Sequence, residues 1–372
     1  TKLKIMIKKT LNNAGIFLFI ILISLNSNSL SAMDKKHPYH HVYDENGKFV
    51  AFRNGPGVPE WNKNRKWPRR KFNEERKKVK VQIPKDFVIK REDVLKNMEA
   101  NKSNDYLLWI GHNTFLLKIN NTNILFDPWF EKRAGFFGLF GPKRFLDPAI
   151  KVSDLPKIDV ILISHSHLEH FSRDFRERYR DKKNTKVIVP LRMGPYYTKY
   201  GYKNVQELDW RENIKINGNI KITAVEAIHW SRSALMDLNR TGWQSYLITL
   251  PSGKTILFGC DTGIYKDVYK RIGKETGKIS LATLNIGSWD FRKAGIESTI
   301  YHAKPSEALQ IGQQLSAEKV IAAHTGNIVL SFEDPFENFL LFKSAASQYG
   351  YNDQTAITLK HGELRVLENL LN

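Results

Sequence analysis

Cysteine is almost absent from this chain, because Cys260 is the only one among 372 residues. A single thiol cannot form an internal disulfide, and it excludes metal sites built on clusters of cysteines. Its position far from the N-terminus also excludes a lipid-modified cysteine beside a leader sequence. The hydrophobic core must therefore stabilise the protein, and any metal site must use histidine and carboxylate ligands.

Long apolar runs are missing as well. The most apolar stretch, residues 15–25, is shorter than the roughly 17 to 25 residues that a membrane-spanning helix needs. Lysines precede it, and small residues follow it at Ser29, Ser31 and Ala32, which is typical of a cleavable export signal. We predict that residues 1–32 are a signal peptide, with an uncleaved anchor as the alternative. The protein is then expected to be exported, in the periplasm or at a membrane of a bacterium.

Acidic residues are scarce relative to basic ones. The chain has 38 Asp and Glu against 58 Lys and Arg, which gives a net charge of +20. This charge favours acidic partners such as phospholipid headgroups, anionic substrates or nucleic acid, without choosing among them. Residues 33–104 are polar and interrupted by prolines, and residues 61–80 carry ten Lys or Arg against two Glu. They predict a basic N-terminal extension, either solvated on the domain surface or bound to a membrane or phosphate.

From residue 105 onward the sequence contains short apolar runs that are typical of strands. The predicted strands are 106–110, 114–119, 123–127, 159–164, 186–190, 219–227, 245–250, 254–259 and 281–287. Helical patterns fall between and after them at 172–180, 305–317 and 334–349. Two series of strands with helices between and after them suit two sheets packed face to face and covered by helices. We therefore predict an α/β protein, an αββα four-layer sandwich, over residues 105–372.

Four potential metal ligands lie within six residues directly after the predicted strand 159–164. They are His165, His167, Glu169 and His170. Three more candidates follow other apolar runs: His229, Asp261 and His324. Each of these alone could be an ordinary polar residue at a strand end, but together they supply enough ligands for two metal ions. Imidazoles and carboxylates suit Zn²⁺ and leave room for water.

The ligands divide into two sets. His165, His167 and His229 can hold one metal, Glu169, His170 and His324 the other, and Asp261 can bridge them. We expect two Zn²⁺ ions, with iron or manganese as alternatives. Two cations lower the pKa of a shared water and stabilise negative charge on a carbonyl or phosphoryl oxygen, so a hydrolase needs no serine, cysteine or lysine nucleophile.

This order of ligands resembles the metallo-β-lactamase superfamily: His-x-His-x-Glu-His, a single His, the segment GCDTG (259–263) and a last His. Further segments are similar to the branch of N-acylphosphatidylethanolamine-hydrolysing phospholipases D. They are WIGHNTFLL (109–117), LFDPWF (125–130), GPKRF (141–145), VPL (189–191), ELDW (207–210), HWSRSALMD (229–237) and HAKPSEA (302–308). The resemblance covers about residues 105–365. It implies an αββα fold, two zinc ions and hydrolysis of a phospholipid phosphodiester, with ligands at His165, His167, His170, His229, Asp261 and His324.

The chain departs from the family where the cluster usually has Asp, because Glu169 stands there. Its additional methylene moves the carboxylate outward by roughly 1.5 Å. Glu169 and Asp261 are the candidate catalytic carboxylates, and by analogy with the family either metal-bound water or Asp261 protonates the leaving group. His112, in the turn GHNT, is a candidate for a position behind the metal ligands, and a purely structural role in the turn is the alternative.

Other functions stay open at this point. Residues 132–144 form an apolar loop between cations, either a wedge inserted into an anionic membrane or a loop folded onto the core. His302-Ala303-Lys304 begins like the His-x-Lys-x4-Asp motif of other phospholipases D, but Leu309 stands where that motif requires Asp. A nuclease, a β-lactamase or lactonase, and a non-catalytic lipid-binding protein are the competing functions. We expect a phospholipid substrate and no specific nucleic acid, and the sequence leaves oligomerisation open.

Overall fold

A computed structural model describes residues 41–50, 68–135, 138, 140–234, 236–296 and 300–372. The strands in these ranges are β1 (Val42–Tyr43), β2 (Phe49–Val50), β3 (Tyr106–Gly111), β4 (Thr114–Ile119), β5 (Thr122–Phe126), β6 (Val160–Leu162), β7 (Lys186–Pro190), β8 (Asn204–Leu208), β9 (Asn213–Ile216), β10 (Ile220–Val225), β11 (Ser245–Thr249), β12 (Thr255–Phe258), β13 (Leu281–Asn285), β14 (Val320–Ala323), β15 (Ala356–Ile357) and β16 (Leu364–Val366). The α-helices are α1 (Arg69–Arg76), α2 (Arg91–Ala100), α3 (Arg173–Arg178), α4 (Pro195–Thr198), α5 (Val268–Thr276), α6 (Pro305–Gln314), α7 (Glu337–Ala345) and α8 (Leu367–Leu371).

The strands form two seven-stranded sheets and a small hairpin of β1 and β2. The first sheet has the order β16-β3-β4-β5-β6-β7-β8, and the second has the order β15-β14-β13-β12-β11-β10-β9. In the first sheet β16, β3, β4 and β5 are antiparallel and β5 to β8 are parallel. The second sheet repeats this arrangement, with β9 to β12 antiparallel and β12 to β15 parallel. The carboxyl ends of the parallel strands within each sheet therefore share one edge, where ligands bind in open α/β sheets.

The core lies between the two sheets and on their outer faces. Alternate strand residues point to opposite faces of a sheet, so Trp109 of β3 packs between the sheets while Leu108 faces outward. Phe175 of α3 joins the layer outside the first sheet, and Leu309 of α6 joins the layer outside the second. The predicted αββα sandwich is confirmed.

The described parts of the predicted basic extension pack on this sandwich. The ring of His41 lies 4.0 Å from that of Trp210, and Phe49 is buried beside Trp243. Val94 of α2 is fully buried in the layer outside the first sheet. The boundary at residue 105 stays a prediction, and the predicted signal at residues 1–32 lies outside the described residues.

The two ends of the predicted apolar loop at residues 132–144 pair with each other as the base of a hairpin. Arg133 pairs with Lys143, and the amide of Ala134 donates to the carbonyl of Pro142 at 2.9 Å. Phe140, near the tip, is 65% exposed. Across the described ranges, none of the helices is both long enough and apolar enough to traverse a bilayer.

A buried ion pair supports the strand that leads to His229. Both Nε and Nη2 of Arg211 donate to Oε1 of Glu226, at 3.0 and 2.9 Å, and the Glu226 carboxyl is fully buried. Burial raises the pKa of Glu226, and Arg211 opposes that shift. The ion pair therefore stabilises the buried carboxylate of Glu226, shortly before the candidate metal ligand His229.

We expect the variant Arg211→Ala to lower the free energy of unfolding by about 3 kcal/mol, because it leaves an unpaired charge in the interior. The loss should be largest at alkaline pH. It should shrink as the pH falls through the raised folded-state pKa of Glu226, because the carboxyl is then neutral in the folded protein and no longer pairs with Arg211. Urea denaturation at several pH values measures this effect. Arg70→Ala, which removes an exposed pair with Glu74 on α1, is the control, and equal losses for both variants would contradict the assignment.

Candidate metal centre

The candidate ligands meet at the carboxyl edge of the two sheets. The loop after β6 carries His165, His167 and His170, and the segment after β10 carries His229. Asp261 and His324 follow β12 and β14 of the second sheet. The ligand groups they form are buried and draw on both sheets, so the centre lies at the carboxyl edge between the two sheets.

Three overlapping groups of side chains place ligand atoms within 4.8 Å of one another. They are the group of His165, His167, His229 and Asp261, the group of His112, His170 and His324, and the group of Asp261, His302 and His324. Nδ1 of His167 lies 2.8 Å from Nε2 of His165 and 3.1 Å from Nε2 of His229. These ring nitrogens therefore face the same small space, as the ligands of one metal ion do.

Asp261 lies between the histidine groups. Its Oδ2 is 2.9 Å from Nε2 of His324 and 3.2 Å from Nε2 of His170. The same oxygen is 4.0 Å from Nε2 of His165 and 3.9 Å from Nε2 of His229. The carboxylate is therefore placed to act as a bridge between two metal positions.

Hydrogen bonds behind the histidines fix which nitrogen faces the centre. Nδ1 of His229 lies 3.0 Å from the carbonyl of Tyr301, and Nδ1 of His165 lies 2.9 Å from Oγ of Ser164. Nδ1 of His170 lies 2.8 Å from Oδ2 of Asp127. Since each outer nitrogen has a partner, Nε2 of all three rings is left for the interior, the usual arrangement behind a metal-binding histidine.

Asp127 is the most connected residue of this outer layer. It follows β5 and is fully buried. Its carboxylate accepts hydrogen bonds from the amide and the hydroxyl of Ser164, at 2.7 and 2.6 Å, and from Nδ2 of Asn113 at 2.9 Å. It therefore joins the loop of His170 to the turn that follows β3.

The backbone is strained at three positions of the centre. His112, Asp127 and His324 have φ angles of +55°, +40° and +58°, in the left-handed region that residues other than glycine rarely adopt. Such conformations cost on the order of 1–3 kcal/mol each and concentrate at functional sites. Here His112 and His324 belong to the ligand groups, and Asp127 holds His170 from behind.

The pKa values of the ionisable side chains in the centre depend on one another. Burial alone would raise the pKa of Asp261, but the imidazoles of His170 and His324 hold that pKa well below its usual range. Burial would lower the pKa of His170, but Asp261 and Asp127 raise it well above the ordinary value. Burial lowers the pKa of His165 and His229 well below the ordinary value and that of His167 to about 3. Most of the imidazoles are therefore neutral, the form that binds metals.

The donor set fits bound metal ions. Neither oxygen of Asp261 makes a hydrogen bond of acceptable geometry within the described part of the chain, although both are buried. Nε2 of His167, Nδ1 of His302 and both ring nitrogens of His112 are likewise buried without a partner. Unpaired buried polar atoms cost free energy, and cations placed among them would satisfy them. The clusters of histidine and aspartate are consistent with a binuclear metal site.

The structure brings together all of the predicted ligands except Glu169. The side chain of Glu169 is half-buried and belongs to none of the ligand groups among the described residues, so its role as a ligand stays a prediction. His112, expected behind the ligands, has its ring 4.0 Å from that of His324 and shares a group with it.

Two residues of the centre were missed from the sequence. Asp127 directly follows β5, so the strand-end reasoning that found Asp261 could have found it too. His302 was considered only as part of an incomplete motif, yet its Nδ1 is 3.9 Å from Oδ2 of Asp261. It follows none of the strands in the described ranges, and its signal in the sequence is its place in the segment HAKPSEA.

An αββα sandwich with this histidine and aspartate centre at the edge of its sheets defines a metal-dependent hydrolase. The sequence model of the β-lactamase superfamily domain matches residues 122–325, which is more than half of the chain. The protein belongs to the metallo-β-lactamase superfamily, as its motifs predicted.

Within the superfamily, the chain is similar to curated proteins that are named N-acyl-phosphatidylethanolamine-hydrolyzing phospholipases D. The chain is 32% identical over 264 residues to the mitochondrial N-acyl-phosphatidylethanolamine-hydrolyzing phospholipase D of Saccharomyces cerevisiae, covering 69% of this chain and 55% of the relative. It is 29% identical over 238 residues to N-acyl-phosphatidylethanolamine-hydrolyzing phospholipase D 1 of Caenorhabditis elegans, covering 61% and 65%. The chain thus spans just over half to just under two thirds of these relatives.

Solved structures share the fold at low identity. A possible metal-dependent hydrolase from Veillonella parvula superposes with a TM-score of 0.56 at 18% identity, over 71% of this chain and 99% of that one. This likeness supports the architecture alone.

Proposed function

We propose that this protein is a zinc-dependent phosphodiesterase of the phospholipase D type, which hydrolyses N-acylphosphatidylethanolamine-like phospholipids to phosphatidate and an N-acylethanolamine. The observation that carries the proposal is the buried centre around Asp261, in a chain about 30% identical to phospholipases named for this reaction. The net charge of +20 and the predicted export signal add the proposal that it works on an anionic membrane surface outside the cytoplasm.

The chain's own residues would hold two zinc ions and orient the substrate. His165, His167 and His229 would hold one, His170 and His324 the other, and Asp261 would contact both. When bound, two cations supply Lewis acidity, which lowers the pKa of water and stabilises negative charge on the phosphoryl oxygens. The Asp127–His170 hydrogen bond keeps one ring in place, and the ring of Trp230 packs 4.3 Å from that of His167.

Exposed apolar side chains on loops beside the ligands support a lipid substrate. The hairpin that carries Phe140 is joined at its base to the segment after His324, because the amide of Phe145 donates to the carbonyl of Asn327 at 2.9 Å. Met236 is 91% exposed on the loop that follows His229. Apolar side chains beside lysines and arginines are typical of surfaces that enter the headgroup region of a membrane.

The reaction is tested by mass spectrometry of the products formed from vesicles that contain N-acylphosphatidylethanolamine. We expect phosphatidate and N-acylethanolamine to appear together. Parallel assays with a β-lactam, a lactone and single-stranded RNA examine the competing functions. Turnover of one of these without lipid products would replace the phospholipase assignment, and no turnover of any substrate by the metal-loaded protein would favour a lipid-binding role.

We expect the double variant Phe140→Ser/Met236→Ser to lower the rate on vesicles by about 10-fold, because it removes apolar surface that would leave water at the membrane. The rate on a soluble short-chain phosphodiester should be unchanged. Leu340→Ser is the matched control, since Leu340 is 72% exposed on α7. A loss on both substrates, or an equal loss for the control, would contradict a membrane role for these loops.

A further inference from the structure

One cation of the N-terminal extension is buried close to the metal centre. Arg76, the last residue of α1, is 7% exposed, although arginine is rarely buried unless it is paired. Phe72 of the same helix anchors it, with its ring 5.0 Å from that of Phe332 and 6.0 Å from that of Phe291. Phe332 lies on the segment that follows His324, so α1 is held against the loops of the centre.

The guanidinium of Arg76 is only partly satisfied. Nη1 donates to the carbonyl of Val329 at 2.7 Å, and Nη2 donates to Oδ1 of Asn73 at 3.3 Å. Nε is buried and has no hydrogen-bond partner among the residues that the structure describes. Val329 and His324 line the same small cavity, so the carbonyl that accepts from Nη1 lies on the His324 side of the centre.

The negative charge of Glu169 acts on the guanidinium of Arg76. Burial lowers the pKa of Arg76 to about 10, and the negative charge of Glu169 acts in the opposite direction. Glu169 is therefore close enough to Arg76 for its charge to act on the guanidinium.

We propose that Arg76 binds the anionic phosphate of the substrate at the His324 side of the metal centre. This inference rests on the proposed phosphodiesterase function and names the group that recognises the anion. A guanidinium offers donors in a planar fork that matches phosphate oxygens, and burial strengthens such a pair. The basic extension then contributes one specific contact to the site in addition to its general positive charge.

The test compares the variants Arg76→Gln and Arg76→Lys with wild type, all as full-length protein loaded with zinc. Binding of inorganic phosphate, measured by isothermal titration calorimetry, reads out the contact without any turnover. We expect Arg76→Gln to weaken phosphate binding by about 10-fold or more, as for the loss of hydrogen bonds to a charged group. Arg76→Lys should lose less, because it keeps the charge. Arg70→Gln, on the exposed face of the same helix with its side chain 90% exposed, should bind phosphate like wild type.

Kinetics on two soluble substrates distinguish the loss of a phosphate contact in the Arg76 variants from a general loss of folded protein. Arg76→Gln should raise KM for bis(4-nitrophenyl) phosphate by a similar factor and leave KM and kcat for uncharged 4-nitrophenyl acetate unchanged. Unchanged phosphate binding, or equal losses on both substrates together with a lower melting temperature, would overturn the proposal. The outcome is distinct from failure of the proposed function, because a protein that releases no phosphatidate from vesicles can still bind phosphate through Arg76.

Discussion

Replacing Asp261 by asparagine is expected to lower hydrolysis of N-acylphosphatidylethanolamine by about 10³-fold, equivalent to about 4 kcal/mol of transition-state stabilisation. Oδ2 of Asp261 lies within 4.0 Å of nitrogens from His165, His170 and His324. The amide keeps the shape of the side chain and removes the negative charge that two cations would share. Steady-state release of phosphatidate measures the loss, and the metal content of the variant should fall at the same time.

Asp267→Asn is the control for this substitution. Asp267 is exposed at the start of α5, and within the described part of the chain its side chain makes no capping hydrogen bond, so its variant should keep the activity and metal content of wild type. An Asp261→Asn protein that retained full activity with normal metal content would contradict the bridging role.

Replacing Asp127 by asparagine has the second largest expected effect. The carboxylate holds His170 through Nδ1 and also accepts from both polar groups of Ser164. Loss of such an outer hydrogen bond usually weakens metal affinity by about 10- to 100-fold. We therefore expect Asp127→Asn to release one metal at chelator concentrations that leave wild type loaded. Competition with a fluorescent zinc chelator measures this difference in affinity.

Asp159→Asn tests whether this effect belongs to the centre. Asp159 lies just before β6, at the opposite end of the strand from Ser164, and accepts a hydrogen bond from the amide of Asn123 at 2.9 Å. Its variant should keep the metal affinity of wild type. If both variants bind zinc equally well, Asp127 does not position a ligand.

Much of the fold could be predicted from the sequence because its strands are strongly apolar. The runs at 106–110 and 114–119 match β3 and β4 almost residue for residue. β8 and β9 were missed, since in them exposed residues alternate with partly buried ones and no apolar run forms. The run at 281–287 was extended past Asn285, because Ile286 is apolar and buried although it lies beyond the end of β13.

The sequence predicts those site residues that lie close together in the chain or that directly follow a strand. His165, His167 and His170 are visible in one short segment, and His229, Asp261 and His324 follow strands. The contacts of His302 and Arg76 could not be foreseen, because they depend on loops and on α1, whose positions are set by long-range packing. Phe72 against Phe332 is one such contact, and neither residue carries a pattern that predicts it.

The most direct measurement of the central claim is the metal content of the full-length protein by inductively coupled plasma mass spectrometry, followed through a stepwise chelation while phosphatidate release is assayed. We predict about two zinc ions per chain, as expected for a bridged site with two sets of ligands. Release of phosphatidate should fall as the metal is removed and return when zinc is added back. Phosphatidate release that persists after complete removal of metal, or a chain that binds no metal when zinc is supplied, would contradict the account.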